Sequence, residues 1–147
     1  MKQMKKSNEY ISWYMFLVCI LWSRDEKHYI AKELIDYFEF GNIIIPYPTL
    51  YETINTRFSK HTEWIAPFNE LIQNEKFKLI DDNGYKEIAL NQTFEYSIYN
   101  KRPISFVDMI LRMMLDDINL KIDAMITFNL EDFIDVCVSK NIEIISE

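Results

Sequence analysis

Glycine, proline, cysteine and histidine are all scarce in this sequence. With only two Gly and four Pro in 147 residues, the chain has little room for flexible linkers or low-complexity segments. Its two cysteines, Cys19 and Cys137, are too few for a disulfide framework and lack metal-site partners, which favours a reducing cytoplasm. The two histidines have no metal-ligand spacing either. We therefore expect a cytoplasmic protein that is held together by its apolar core.

The chain also lacks an excess of positive charge. Sixteen Lys and Arg against 23 Asp and Glu give a net charge of -7, which argues against binding nucleic acid through bulk charge alone. A nucleic-acid site would need a local basic patch or bound cations. The basic residues at predicted loops and helix ends are most simply solvated surface charges, although they could contact phosphates at a site edge; they are Arg24, Lys27, His28, Arg57, Lys60, His61, Lys101 and Arg102.

No apolar run is long enough to cross a bilayer, which takes about 20 residues. The longest such run covers residues 11–22, after a basic amino terminus, and so resembles a signal peptide. No small-residue cleavage site follows it, only Ser23, Arg24 and Asp25. We therefore interpret this region as a buried strand over Tyr10–Trp13 and a buried helix over Tyr14–Trp22, with a signal peptide as the less favoured alternative. No membrane partner is expected.

Length and apolar content, 147 residues and 49%, indicate one domain over residues 1–147 with a sizeable core. Short apolar runs predict strands at Ile43–Ile45, Phe77–Ile80, Ala124–Thr127 and Ile142–Ile145. Helical spacing predicts helices at Glu26–Phe40, Thr49–Phe58, Thr62–Ile72 and Tyr85–Tyr99, the last with Ile88, Leu90, Phe94 and Ile98 facing inward. Strands that alternate with helices predict an α/β fold, with helices on both faces of a mainly parallel sheet.

Three acids share one kind of position in this pattern. Glu52, Asp108 and Asp132 each lie three residues after a helix-capping residue, namely Thr49, Ser105 and Asn129. One interpretation is that all three acids are only parts of helix caps, each worth about 1 kcal/mol. The other is that they converge, because the turns that follow parallel strands lie at one edge of the sheet.

Converging carboxylates repel one another unless a cation lies among them, and Mg²⁺ or Mn²⁺ is the usual one. Two such ions suit phosphodiester hydrolysis, since one generates the attacking hydroxide and both stabilise the developing charge. This interpretation makes Glu52, Asp108 and Asp132 candidate catalytic residues and metal ligands.

The same stretches resemble the PIN domain. The residues that carry the resemblance are Ile44-Ile45-Pro46 through Glu52, then Ser105 to Asp108, then Asp123 to Phe133, and finally Ile142 to Ile145. The resemblance covers nearly the whole chain and implies a three-layer α/β/α sandwich and a metal-dependent ribonuclease, common as the toxin of toxin–antitoxin pairs. It assigns Glu52, Asp108 and Asp132 as the second, third and fourth acids and places Thr127 and Asn129 beside them. It further implies an RNA substrate, a cognate antitoxin and a homodimer.

One position departs from that family's pattern. PIN domains begin with a strand that ends in an Asp, and here the matching position is Ser12. A hydroxyl is a much poorer ligand for Mg²⁺ than a carboxylate. Three hypotheses therefore stay open: an active endoribonuclease, a degenerate PIN-like domain that binds RNA or a protein partner without turnover, and an unrelated α/β protein whose acids are caps.

Overall fold

The computed structural model describes residues 41–100, 102–127 and 129–145, and the backbone of residues 9–12. The strands are β1 (Glu9–Ser12), β2 (Asn42–Pro46), β3 (Phe77–Ile80), β4 (Ala124–Ile126) and β5 (Glu143–Ile145). The helices are α1 (Tyr47–Thr53), α2 (Thr56–Ser59), α3 (Thr62–Gln73), α4 (Lys86–Tyr99), α5 (Phe106–Asp116) and α6 (Ile134–Lys140). The predicted helices at Tyr14–Trp22 and Glu26–Phe40 lie outside the described residues.

The five strands form one sheet in the order β3-β2-β1-β4-β5, and every neighbouring pair is parallel. β1 is central, with Ile11 opposite Ile44 of β2 and opposite Met125 of β4. Because all strands run the same way, their carboxyl ends share one edge, which we call the carboxyl edge. The predicted parallel α/β fold is confirmed.

Alternate residues of β2 and β4 pack into two separate cores. Ile44 and Met125 face the core that α4, α5 and α6 cover. Ile43, Ile45, Ala124 and Ile126 face the opposite core, which includes Leu50 of α1, Phe58 of α2 and Phe68 of α3. Since successive strand residues point to opposite faces, a continuous apolar run such as Ile43–Ile45 supplies both cores at once. This arrangement is the predicted three-layer sandwich.

The segment after β2 differs from the prediction in its helix boundaries. The predicted helix from Thr49 to Phe58 is two helices, because α1 begins at Tyr47 and ends at Thr53, and Asn55 caps a new helix by accepting from the Phe58 N–H. Proline is favoured in the first turn of a helix, where its missing N–H costs nothing, and Pro48 occupies that turn. The predicted capping box at Thr49 and Glu52 is therefore wrong, since both residues lie inside α1.

Helix α4 forms as predicted, but its inward face does not. Ile88, Leu90, Phe94 and Ile98 are exposed, with Phe94 at 61% and Ile98 at 68%. Ala89 is fully buried instead, and Tyr85 and Tyr96 pack beside it against the core. A small side chain at the contact lets α4 approach its neighbours closely, so the buried face is the one that carries Ala89.

Among the described residues, the structure contains no helix that is both long and apolar enough to cross a membrane.

Candidate functional site

Asp108 is held at the start of α5 by its own helix cap. The Ser105 hydroxyl accepts a hydrogen bond from the Asp108 N–H at 3.0 Å and donates one to its carboxylate at 2.7 Å. The predicted cap at Ser105 is thus confirmed, although the carboxylate contacts the hydroxyl and not the Ser105 N–H. Only 8% of Asp108 is exposed. Its pKa is raised, first by burial and also by the charge of Asp132, while the bond from Ser105 acts in the opposite direction.

Glu52 is the second member of the acidic group. It lies half-buried in the last turn of α1, which follows β2 directly. Burial raises the pKa of its carboxyl, and the charge of Asp108 raises it further. Within the described residues, no salt bridge reaches Glu52 or Asp108. Glu52 and Asp108 are therefore a half-buried and a buried carboxyl group that repel each other, with no counter-ion among the described residues.

Asp132 has different surroundings, because both of its carboxylate oxygens accept hydrogen bonds. Arg102 donates to one oxygen at 2.6 Å, and the Asn129 side-chain amide donates to the other. The Thr127 hydroxyl accepts the Asn129 N–H at 3.0 Å and so fixes the turn that follows β4. Asn129 does not cap a helix, since α6 begins at Ile134; the predicted capping box at Asn129 and Asp132 is wrong. Thr127, Asn129 and Asp132 thus form a hydrogen-bonded turn at the carboxyl edge.

A second arginine, Arg112, connects this turn to α5, the helix that carries Asp108, through hydrogen bonds. Arg112 of α5 makes a two-pronged contact with Asp135, 2.6 Å for each nitrogen–oxygen pair, and also donates to the Asp132 carbonyl. The hydrogen bond from Arg112 is the main reason that the pKa of Asp135 is lowered. Arg112 did not emerge from the sequence as a site residue. Its position in α5, one helical turn after Asp108, was the feature of the sequence that could have indicated it.

Ser12 and Thr49 complete the set of residues at this edge. The backbone of Ser12 ends the central strand β1, opposite Ile126 and thus one residue before the level of Thr127. Thr49 lies in α1, three residues before Glu52 and so on the same side of the helix. Its hydroxyl is fully buried and has no hydrogen-bond partner within the described residues. A buried polar atom of this kind is costly, which marks the place as one where a ligand or water is expected.

The side chains at this edge are of the kind that bind a hard divalent cation, but those described are not placed closely enough to hold one. Among the described residues, Glu52 and Asp108 offer carboxylate oxygens that have no cationic partner, and the Thr49 hydroxyl offers an oxygen that has no hydrogen-bond partner. Hard divalent ions prefer such oxygen ligands. In the described parts of the chain, however, no three acidic, histidine or cysteine side chains are grouped closely enough to hold a metal ion. Asp132 is electrostatically coupled to Asp108, yet its carboxylate is occupied by Arg102 and Asn129.

Solved structures with the same fold give an independent comparison. Mycobacterium tuberculosis VapC20, a toxin that cleaves the sarcin–ricin loop, superposes with a TM-score of 0.64 at 17% identity, over 84% of this chain and 92% of that chain. VapBC2 from Rickettsia felis, bound to a DNA fragment from their promoter, superposes with a TM-score of 0.59 at 13% identity, over 95% and 98%. A scan of protein-family profiles and a search of curated proteins found no match. At these identities the likeness establishes a VapC-like PIN fold.

Proposed function

We propose that this chain, which has the fold of VapC toxins, is a metal-dependent endoribonuclease and the toxin of a toxin–antitoxin or defence pair. Glu52, Asp108 and Asp132 are the proposed ligands of Mg²⁺ or Mn²⁺, and Ser12, Thr127 and Asn129 line the site. The cation would supply an activated water and would neutralise charge at the phosphate undergoing cleavage. The chain's own acids would hold the ion at the carboxyl edge, where the RNA backbone would bind.

The proposal is carried by the VapC-like fold, and it is supported by the nearness of Asp108 to two acids from distant parts of the sequence. The charge of Asp108 raises the pKa of Glu52, and the charge of Asp132 raises the pKa of Asp108. Only Asp108 takes part in a cap, so the hypothesis that all three acids are caps loses its basis.

A second candidate function is a PIN-like domain that binds RNA or a protein partner without cutting RNA. It is favoured by the proposed alignment of Ser12 with the first acid of PIN domains, and by the contact between Arg102 and Asp132. The two candidates differ in turnover and share the same surface. A homodimer and a cognate antitoxin are proposed for both, and VapBC2, a complex of a toxin with its partner, supports the second of these.

The test is cleavage of a structured RNA by the purified chain, with and without millimolar Mn²⁺. A hairpin of the sarcin–ricin type is a suitable first substrate because VapC20 cleaves that loop. We expect Mn²⁺-dependent cleavage by the unaltered chain and a loss of at least about 100-fold in Asp108→Asn, since general acid–base and electrostatic groups contribute on that order. Glu70→Gln on the exposed surface of α3 is the matched control.

The outcomes separate the candidates. Equal cleavage by the unaltered chain and Asp108→Asn would identify a contaminating nuclease. If neither cuts and both bind the RNA, the binding candidate is correct.

Ser12→Asp tests the alignment of the first strand. If Ser12 occupies the position of the missing acid, a carboxylate at the end of β1 adds one ligand and one negative charge, and both Mn²⁺ affinity and cleavage should rise. Isothermal titration with Mn²⁺ measures the first and the RNA assay the second. No change in either would contradict the placement of Ser12 in the site.

A further inference from the structure

Arg102 lies at this edge and has no part in the proposed binding of a cation. It lies in the irregular segment between α4 and α5, three residues before Ser105. Its guanidinium is 2.6 Å from one carboxylate oxygen of Asp132 and 3.8 Å from Glu131. The Asp132 side chain is 18% exposed, whereas that of Arg102 is 45% exposed. A long, half-exposed side chain thus contacts a largely buried acid.

We propose that Arg102 is a positioning residue that competes with the divalent cation for Asp132, and so sets the affinity of the acidic group for metal. This inference rests on the proposed function, because it takes Asp132 to be a metal ligand. The guanidinium supplies the positive charge that a cation would otherwise supply. Its 2.6 Å contact also holds the Asp132 carboxylate in place.

The positions of the three acids support this competition. Glu52 and Asp108 lack any cationic partner within the described residues, while Asp132 has one. Of the three proposed ligands, Asp132 is therefore the one that an arginine already contacts, at 2.6 Å. Asn129 fixes the second oxygen of Asp132, so Arg102 must move or share its oxygen before Asp132 can bind an ion fully.

Space beside the contact allows Arg102 to move. A cavity of about 190 Å³ is lined by Arg102 and Asp132, together with Arg112 and Asp135. Because the Arg102 side chain is also 45% exposed, its guanidinium can leave Asp132 for the cavity or for solvent. Arg112 cannot play the same part, because both of its terminal nitrogens are bound to Asp135.

The experiment is isothermal titration of the RNA-free protein with Mn²⁺ alone. Arg102→Gln removes the competing charge and should bind Mn²⁺ about fivefold more tightly, since a half-exposed ion pair is worth up to about 1 kcal/mol. Arg102→Lys keeps a positive charge there and should remain close to the unaltered protein. Arg57→Gln on the exposed surface of α2 changes the net charge equally and should also leave the affinity unchanged.

The double variant Arg102→Gln with Asp132→Asn asks whether the gain passes through Asp132. We expect it to lose the fivefold gain. Unchanged or weaker Mn²⁺ binding in Arg102→Gln would overturn the inference, and so would an equal gain in Arg57→Gln, which would show an effect of bulk charge. Absence of binding in every variant would overturn it as well.

These results are separable from the test of the proposed function. Tighter Mn²⁺ binding in Arg102→Gln without RNA cleavage would support the role of Arg102 and refute the nuclease. Mn²⁺-dependent cleavage with no change of Mn²⁺ affinity in Arg102→Gln would support the nuclease and refute the role of Arg102.

Discussion

Replacing Asp108 by Asn should make the protein more stable at neutral pH, although it removes a proposed catalytic residue. The carboxyl group of Asp108 is buried, and its pKa in the folded protein is raised. A raised carboxyl pKa means that the ionised form is less favourable in the folded state than in the unfolded state. The ionised group therefore subtracts from stability at pH 7, and a neutral amide of the same shape removes that cost.

Two opposing contributions set the size of the effect. The amide gains because it needs no desolvated charge and no longer repels Asp132 and Glu52. It loses because the Ser105 hydroxyl then donates to a neutral oxygen, and a bond to a charged group is about 1 kcal/mol stronger. Burial is the largest cause of the raised pKa and outweighs the Ser105 bond. We expect a net gain of about 1 kcal/mol, which corresponds to a rise of about 2–4 °C in Tm.

Thermal unfolding without divalent ions, followed by circular dichroism at pH 7 and near pH 4, measures this gain. The cost of the charge appears as pH rises through the ordinary Asp pKa of about 3.9 and is complete above the raised pKa of the folded protein. The advantage of Asp108→Asn should therefore shrink at the lower pH, while the control Glu70→Gln stays within about 0.5 kcal/mol at both. Destabilisation at pH 7, or a gain independent of pH, would refute the reasoning.

The same measurement can establish that Glu52 and Asp108 are neighbours. Glu52→Gln should also stabilise the protein, and each single change relieves the same repulsion between the two carboxylates. The double variant should then gain less than the two single variants together. Strict additivity would mean that the two groups do not interact.

Three further predictions concern the surroundings of the site. Arg112→Ala should cost about 2 kcal/mol in urea unfolding at pH 7, because it breaks the contact from α5 to Asp135 and the Asp132 carbonyl. Since the pKa of Asp135 is lowered, this difference should fade as pH drops through that lowered pKa, and a constant difference would contradict the ion pair. Ser105→Ala should cost about 1 kcal/mol through the lost cap, and a neutral effect in urea unfolding would refute that assignment. Burial raises the pKa of the Cys137 thiol to about 11, so peptide mapping should find Cys137 unlabelled by iodoacetamide in the folded protein at pH 8, and rapid native labelling would contradict its burial.

Periodicity in the sequence was enough to predict the sheet but not the helix faces. Strands were predictable at Ile43–Ile45 and Ala124–Thr127. Each is a short apolar run bounded by proline, charge or Asn, and such runs are typical of parallel strands buried on both faces. Helix α4 shows the limit of the same reasoning. Its large apolar residues were expected inside, whereas Ala89, Tyr85 and Tyr96 make the buried face. The buried side of a helix depends on how closely that side can approach its neighbours, and in α4 the small side chain of Ala89 lies on the buried side.

The candidate site was predictable as a set of acids and not as a set of contacts. Spacing predicted Glu52, Asp108 and Asp132 as site residues, which stays a prediction. In the structure the charge of Asp108 raises the pKa of Glu52, and the charge of Asp132 raises the pKa of Asp108. Spacing could not show which acid would be paired with a cation, since Arg102 lies 30 residues from Asp132 in sequence and meets it only in the fold. The same arginine was grouped with ordinary surface charges because exposed basic residues usually are.

The distribution of counter-ions at this edge has a consequence for how the site would work. Asp135 and Asp132 have arginine partners, while Glu52 and Asp108, whose pKa values are raised, have none within the described residues. If these acids served stability alone, the folded protein would be more stable with them paired or neutralised. The stabilisation that we expect from Asp108→Asn is an instance of this. Carboxyl groups with raised pKa values and no cationic partner among the described residues are typical of functional sites, which agrees with the proposed role of Glu52 and Asp108 in binding a cation. Arg102 would then limit how tightly the free protein holds that cation.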